Sequence, residues 1–186
     1  MSLLTPDYPL LAFIGPSAVG KSTAVQQLVA DGILALTPTW TDRPARPDEV
    51  GPEHHFVTAA ELDARIAAGF FAHAPLQFFG LEYRYVTPKI EVPPHGQVAA
   101  LMARASAIPL LDKLYPQRII YQIEASLEDV KKRLAARQDD DLGSRLTDYE
   151  QEIELGRPQA RRVFVNHGTM EQLVTQLKAA IAEDYV

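Results

Sequence analysis

The stretch Gly15-Pro16-Ser17-Ala18-Val19-Gly20-Lys21-Ser22-Thr23 matches the phosphate-binding pattern G-x-x-x-x-G-K-[S/T] and decides the fold class. The apolar run 10–14 (LLAFI) precedes it and is short enough to form a buried strand. A helical pattern follows the loop, and Asp31-Gly32 marks its end. Strand, loop and helix therefore occur in the order that the motif requires. A simple glycine-containing turn is the less favoured interpretation, because it gives the Lys-Ser pair no role.

The residue types in this stretch suit a bound phosphate group. Gly15 and Gly20 have no Cβ, so the backbone can adopt positive φ and wrap closely around phosphate oxygens. Lys21 would reach the β- and γ-phosphates of ATP, and the Ser22 hydroxyl would ligate Mg²⁺. The loop N–H groups and the helix N-terminus would form a nest for an anion. The residues expected to bind ATP are Gly15, Ser17, Ala18, Val19, Gly20, Lys21, Ser22 and Thr23.

Composition limits the class of protein. The 186 residues, 47% of them hydrophobic, are enough for one domain with a sizeable core. A net charge of −6 argues against a general nucleic-acid surface, and the lack of cysteine excludes disulfides and thiolate metal sites. No apolar run approaches the ~20 residues of a membrane helix, and no signal-peptide pattern is present. We therefore expect a cytoplasmic protein without nucleic-acid or membrane partners, whose oligomeric state stays open.

The segment 39–51 (TWTDRPARPDEVG) is dense in proline and charge. Pro44 and Pro47 argue against a helix and against a central strand, so the pattern predicts a loop. This loop carries Arg43 and Arg46, and arginine makes bidentate contacts with phosphate. A solvated loop with ordinary surface charges is the alternative that composition alone favours.

The order of residues in this segment resembles the guanylate kinase family. In that family a hydroxyl residue, T-T-R-x-x-R, G-E and an aromatic-F-V follow the phosphate loop. The matching residues here are Thr39, Thr41, Arg43, Arg46, Glu49, Gly51 and Phe56-Val57. The resemblance extends from Gly15 to Gly80 and resumes from about Arg118 to the end of the sequence.

The resemblance implies how an acceptor phosphate would be held. Arg43 and Arg46 would bind it, and Thr39 belongs to the same segment. The stretch 80–87 (GLEYRYVT) resembles G-N-x-Y-G-T, so Tyr83 matches a tyrosine that contacts this phosphate. His54 stands where another such tyrosine is usual, although the His54-His55 pair is equally well explained as a surface feature.

Further matches lie in the second half of the chain. Arg133-Leu134-Ala135-Ala136-Arg137 resembles K-R-L-x-x-R-G, and Arg145-Leu146 resembles the K-R-L/M that follows the family's lid. By this resemblance Arg133, Arg137 and Arg145 clamp ATP and the phosphoryl group in transit. The same charges would otherwise form a solvated helix face. The run 163–166 (VFVN) matches V-I-V-N and places Asn166 near the adenine.

The sequence also departs from the family pattern. Ala72 occupies the position of a glutamate that hydrogen-bonds the guanine edge. The strand predicted at 98–102 lacks the acids of L-D-I-D, which serve the Mg²⁺ shell and the base, and no Asp or Glu occurs between Glu91 and Asp112. The following stretch, Arg104-Ala105-Ser106, would face the site instead.

Together these patterns predict an α/β fold of the P-loop NTPase type, a parallel sheet flanked by helices. We expect one kinase domain with a core of 9–37, 96–136 and 157–186, an acceptor-binding insertion 38–95 and a short lid 137–156. The resemblance implies phosphoryl transfer from ATP, with Mg²⁺, to a small phosphorylated acceptor, with GMP as the first candidate. A ribose 1,5-bisphosphate phosphokinase, which also lacks the L-D-I-D acids, and a non-catalytic guanylate-kinase-like binding module stay open. The intact Lys21, Ser22 and Thr23 argue against the module.

Overall fold

The computed structural model describes residues 3–4, 8–45, 49, 51–77, 82–136 and 142–185, and excludes the side chains of 142–145. The helices and strands of these residues are β1 (Leu11–Ile14), α1 (Lys21–Ala30), β2 (Leu34–Thr37), β3 (Thr39–Thr41), β4 (His54–Phe56), α2 (Ala59–Ala67), β5 (Tyr85–Val86), β6 (Val98–Met102), α3 (Ile108–Leu114), β7 (Ile119–Glu124), α4 (Leu127–Ala136), α5 (Leu142–Gly156), β8 (Arg162–Val165) and α6 (Met170–Asp184). A single 3₁₀ turn, Ala105–Ala107, joins β6 to α3.

The strand before the phosphate loop lies at the centre of a five-stranded sheet of order β2-β6-β1-β7-β8. All neighbouring strands pair in parallel, and Phe13 lies opposite Met102 on one side and Tyr121 on the other. The carboxyl ends of the strands therefore meet at one edge of the sheet, where ligands bind in open α/β folds. The predicted α/β fold with a parallel sheet is confirmed.

β1 is buried on both faces of the sheet because every one of its residues is apolar. Leu11 and Phe13 pack in the core with α1, α4 and α6, whereas Ala12 and Ile14 pack in the core with α3. Side chains alternate between the two faces of a strand, so one short apolar run joins both layers of helices. This burial fixes the start of the phosphate loop relative to the whole core.

A second, three-stranded sheet of order β4-β3-β5 stands beside the main one. Thr39–Thr41 forms its central strand, so the prediction of a loop beginning at residue 39 is wrong. Pro44 comes three residues after the end of this strand, and a Thr-Trp-Thr run has high strand propensity. Proline at that distance does not prevent the strand. Arg84 secures the sheet, since its backbone N and its Nε each donate to Asp42 at 2.7 Å.

The helix ends follow local sequence signals. Thr58 and Thr169 begin α2 and α6 with capping boxes, as their spacing to Glu61 and Gln172 predicts. β1 begins one residue later than the apolar run 10–14, and β6 has the predicted bounds 98–102. Among the described helices, none has both the length and the apolar character needed to span a bilayer.

Replacing Leu28 by Ala tests the packing of α1 against the sheet. Leu28 is fully buried in the core that contains Leu11 and Phe13, so truncation leaves a cavity. We expect the free energy of unfolding, measured by urea denaturation, to fall by about 2–5 kcal/mol. The matched control is Gln27→Ala on the exposed face of the same helix, with an expected change within about 0.5 kcal/mol. Equal stability of the two variants would contradict this packing.

Candidate active site

The phosphate loop runs from the end of β1 to the start of α1 through backbone conformations that favour glycine. Gly15 has φ 130° and Gly20 has φ 103°. A Cβ on Gly15 would lie 2.1 Å from the carbonyl oxygen of Ile123 in β7, closer than any real contact. The loop is therefore pressed against the sheet, and no other residue type fits at Gly15 without moving β7.

Lys21 is the first residue of α1, and its ammonium group points back into the loop. Its Nζ donates to the carbonyl oxygens of Gly15 at 2.6 Å and Pro16 at 2.8 Å. Burial lowers the pKa of Lys21 to about 8; the carboxylate of Glu152 opposes this effect, and the Arg104 charge adds to it. The lysine is thus held at the place where a phosphate oxygen would take over from the two carbonyls.

Side chains from two other elements hold the opposite side of the loop. Asn166, buried just after β8, donates from Nδ2 to the carbonyl oxygen of Val19 at 2.7 Å. Arg133 of α4 donates from Nη1 to the carbonyl oxygen of Ala18 at 3.1 Å. A Cβ on Gly20 would come within 2.6 Å of Asn166 Nδ2, so glycine permits this close contact. Both side chains therefore position the loop itself, whatever further contacts they make with a ligand.

A large cleft of about 560 Å³ opens between the loop, the three-stranded sheet and α5. Most of the predicted site residues line it, and they come from distant parts of the sequence. They are Gly15, Ser17, Ala18, Gly20, Lys21, Ser22, Thr23, Thr39, Arg43, His54 and Tyr83. Val19 is fully buried in the core, so its side chain faces away from a ligand.

Arg43 is oriented by the wall of this cleft. Its Nη1 and Nη2 donate to the two carboxylate oxygens of Glu49, each at 2.8 Å, and its guanidinium lies 5.2 Å from the centre of the Phe56 ring. Tyr85, for which no role was predicted from the sequence, also interacts with Arg43. A guanidinium can donate two parallel hydrogen bonds to two oxygens of a phosphate, as it does here to the two oxygens of a carboxylate. The phosphate-binding role of Arg43 stays a prediction.

His54 and Tyr83 lie at different depths of the cleft. His54 has a buried Nδ1 without a hydrogen-bond partner, and burial, with the Arg43 charge, lowers its pKa below the usual value. Tyr83 is 38% exposed. Both positions allow contact with an acceptor, and their roles stay predictions. Arg46 and Arg137 lie outside the described residues, as does the side chain of Arg145, so their predicted roles are untested.

A second cavity, of about 440 Å³, lies on the other side of the phosphate loop. Its wall includes Arg133 and Asn166, together with Gly168 and Met170 from the segment that follows β8. The two cavities share Ala18, Gly20 and Thr23. The phosphate loop therefore forms part of the wall of both cavities.

The acidic residues that α5 brings to the large cleft were not predicted from the sequence. Arg104 lines the cleft as expected, but its Nη1 donates to Asp148 Oδ2 at 3.1 Å. Glu152 is buried and accepts from the backbone N of Ala105 at 3.0 Å. The sequence carries a signal for this, because Tyr149 and Ile153 are apolar residues four apart and Glu152 falls on the same face of the helix. A carboxylate in an apolar stripe indicates a specific buried role.

The donor set is consistent with a magnesium ion held mainly by phosphates. Within the described residues, no group of three His, Cys, Asp or Glu side chains is placed to hold a metal. Ser22 contributes a hydroxyl to the large cleft directly beside Lys21. Mg²⁺ prefers oxygen ligands and usually retains waters and substrate phosphates, so a hydroxyl next to a phosphate loop fits it.

This fold and site define a P-loop protein with separate spaces on the two sides of its phosphate-binding loop. No family model matches the chain. The guanylate kinase of Thermosynechococcus vestitus is 34% identical over 153 residues, which cover 77% of this chain and 78% of that protein. The guanylate kinase of Deinococcus radiodurans is 31% identical over 178 residues, covering 91% and 73%. This chain belongs to the guanylate kinase family.

Two further comparisons agree. The guanylate kinase of Symbiobacterium thermophilum is 36% identical over 138 residues, 71% of this chain, and the match spans 64% of that relative's length. The crystal structure of guanylate kinase from Anaplasma phagocytophilum superposes with a TM-score of 0.70 at 18% identity, covering 98% of this chain and 87% of that one. At that identity the superposition supports the fold alone.

The lowered pKa of Lys21 predicts how nucleotide affinity depends on pH. Below pH 8 the lysine of the free protein is already charged, so the affinity for MgATP should change little. Above pH 8 the free protein loses the proton that a phosphate-bound lysine retains. Affinity should then weaken by up to about tenfold per pH unit. Isothermal titration calorimetry from about pH 7 to about pH 9.5 measures this dependence.

Lys21→Arg is the matched control for this titration, because a guanidinium stays charged across the whole range. The variant should bind more weakly at neutral pH but show a flat profile above pH 8. A wild-type affinity that stays constant up to the highest pH would contradict the role of Lys21 as the titrating group.

Proposed function

We propose that this chain transfers the γ-phosphoryl group of ATP to the phosphate of GMP, forming ADP and GDP. The observation that supports this most is the phosphate loop, with Lys21, standing between two cavities. A phosphotransferase needs such an arrangement, since catalysis depends on placing donor and acceptor on opposite sides of the group in transit. The named activity of the relatives in this family agrees with the proposal.

The donor nucleotide would occupy the second cavity and the phosphate loop. Asn166 and Gly168 line that cavity at the end of β8, where the adenine was predicted to lie. The β- and γ-phosphates would accept hydrogen bonds from the loop N–H groups and from Lys21 in place of its present carbonyl partners. Ser22 would hold Mg²⁺, which supplies further neutralisation of phosphate charge when it is bound.

The acceptor would occupy the large cleft, with its phosphate on Arg43. An oxygen of that phosphate forms a bond to the γ-phosphorus while the bond from the γ-phosphorus to the β–γ bridging oxygen breaks, and ADP leaves. No general base is needed, because the attacking phosphate is already an anion. We propose that Arg46, Tyr83 and His54 complete the acceptor site and that 38–95 acts as the acceptor-binding insertion.

Arg133, Arg137 and Arg145 would neutralise the charge that spreads over the transferring group. One arginine in that role can contribute roughly 10³-fold or more to the rate. Arg133 of α4 already donates a hydrogen bond to the Ala18 carbonyl oxygen of the loop, so its guanidinium would lie close to phosphates bound there. We propose that 137–156 contains the lid that carries the other two arginines.

A sugar bisphosphate is the second candidate acceptor, and the lining of the cleft is the reason. Leu101, Met102 and Ala103 from the end of β6 present no carboxylate to the cleft, and neither does Ala72. An assay of ADP release in the presence of ATP and Mg²⁺ separates the candidates. The acceptors to be compared are GMP, AMP, other nucleoside monophosphates and ribose 1,5-bisphosphate. Turnover with ribose 1,5-bisphosphate alone would overturn the GMP assignment, and no turnover with bound ATP would favour a binding module.

Replacing Lys21 by Ala should abolish phosphoryl transfer while the protein stays folded. The variant lacks the cation aimed at the phosphates but keeps both glycines of the loop. We expect turnover to fall by about 10³-fold or more, by analogy with other charge-stabilising groups at such sites. The control Lys131→Ala removes an exposed lysine from α4 and should retain wild-type turnover. Full activity of Lys21→Ala would contradict the mechanism.

Replacing Arg43 by Ala should damage use of the acceptor. A bidentate, charge-assisted contact contributes about 1.5–3 kcal/mol, so the KM for GMP should rise roughly 10- to 100-fold. The KM for ATP should change little, because Arg43 lines only the large cleft. Arg43→Lys keeps the charge but loses the two-pronged guanidinium contact. Its KM for GMP should lie between those of the wild type and Arg43→Ala. A rise in the KM for ATP without a rise in the KM for GMP would contradict the assignment of Arg43 to the acceptor site.

A further inference from the structure

Glu152 carries a buried carboxylate oxygen that accepts no hydrogen bond from the described residues. Its side chain is only 4% exposed, and its Oε2 accepts a hydrogen bond from the backbone N of Ala105 at 3.0 Å. Its Oε1 is buried without a hydrogen-bond partner, and Arg104 Nη1 lies 3.8 Å away as an ion-pair partner. A buried carboxylate oxygen without a donor is costly, so a ligand that supplies one would be bound favourably.

The other described acidic side chains of the large cleft already have partners. Glu49 binds Arg43 at 2.8 Å, Glu53 accepts from Gln26 at 3.0 Å, and Asp148 accepts from Arg104 at 3.1 Å. Glu152 differs in that its Oε1 is buried and accepts no hydrogen bond, so this oxygen can accept one from a ligand. Burial raises its pKa, whereas the Ala105 hydrogen bond and the Arg104 and Lys21 charges favour the ionised form.

The surroundings of Glu152 fit the edge of a flat aromatic group. Ala105, which anchors one oxygen, is the first residue of the 3₁₀ turn and lies three residues after the end of β6. The same part of the cleft is lined by Leu101, Met102, Ala103, Ala107, Leu110 and Leu111. Apolar walls with a few convergent polar groups are typical of sites that bind a planar base and fix its orientation.

The positive charge around Glu152 determines whether a cation or a neutral N–H donor is favoured at its Oε1. The guanidinium of Arg104 stands near the free oxygen, and Lys21 also acts on it electrostatically. These positive charges repel a metal ion at that oxygen electrostatically, whereas they do not repel a neutral N–H group. Guanine presents N1–H and 2-amino donors along one edge, whereas adenine presents the N1 lone pair there. A carboxylate therefore favours guanine and disfavours adenine.

We propose that Glu152 is a specificity-determining residue, whose free oxygen accepts hydrogen bonds from the N–H donors on the guanine edge of the acceptor. The inference rests on the proposed function, because it places the acceptor nucleoside in the large cleft. It assigns base selection to the helix α5, and not to the end of β6 or to position 72.

The test is Glu152→Gln with GMP and AMP as competing acceptors. The amide keeps the shape and one carbonyl oxygen for Ala105, but it presents an N–H donor where the free oxygen stood. We expect the ratio of kcat/KM for GMP to that for AMP to fall by roughly tenfold or more, since a mismatched hydrogen-bonding edge discriminates strongly. A purely structural role would lower both values together and leave the ratio unchanged.

Glu154→Gln is the matched control, because Glu154 is exposed on the same helix and should keep the wild-type ratio. The melting temperature of each variant reports folding. If Glu152→Gln does not fold, Glu152→Asp is the second variant. Its shorter side chain keeps the carboxylate charge but moves the oxygens away from the ligand, so it should also lose the preference for GMP over AMP. A folded variant with an unchanged ratio would overturn the inference alone, whereas wild-type protein without GMP turnover would overturn the proposed function and the inference with it.

Discussion

The rest of the site depends on the close contact between the phosphate loop and the carboxyl edge of the sheet. At Gly15 the loop is so near the Ile123 carbonyl that a Cβ cannot be placed there, and at Gly20 the Asn166 side chain fills the corresponding space. Because β1 is buried on both faces, this contact transmits the rigidity of the whole core to the loop. Anion binding by backbone N–H groups requires such fixed positions, since a mobile loop would lose entropy on binding.

The charged groups of the cleft are held in pairs that a ligand would exchange. Lys21 binds two carbonyl oxygens, Arg43 binds Glu49 and Arg104 binds Asp148. Each pairing satisfies a buried or half-buried cation, because an unpaired charge is costly there. Phosphate oxygens offer similar geometry with more negative charge, so they can replace these partners without leaving the cations unpaired. Glu152 differs, since it offers an acceptor and requires a donor from the ligand.

Local rules predicted the elements whose signals lie within a few residues. The phosphate loop, both capping boxes and the buried strand β6 follow from spacing and apolar pattern, and the structure confirms them. The same reasoning failed at Thr39–Thr41, where the nearby prolines suggested a loop. That strand exists because β4 and β5 supply its hydrogen bonds, and they come from 54–56 and 85–86. Tertiary pairing outweighed the local signal there.

The sequence by itself determined the class of chemistry, because the phosphate loop and its flanking strand and helix are contiguous and each residue type has a local physical reason. It also indicated that Arg43 belongs to an acceptor site, through a resemblance that the comparisons with relatives support at the level of the family. Only the tertiary structure decided which carboxylates face the cleft and which of them are already paired. Glu152 and Ala105 are 47 residues apart, and no local pattern specifies that contact. It arises because α5 packs on the turn after β6, so burial and the missing hydrogen-bond donor are properties of the assembled fold.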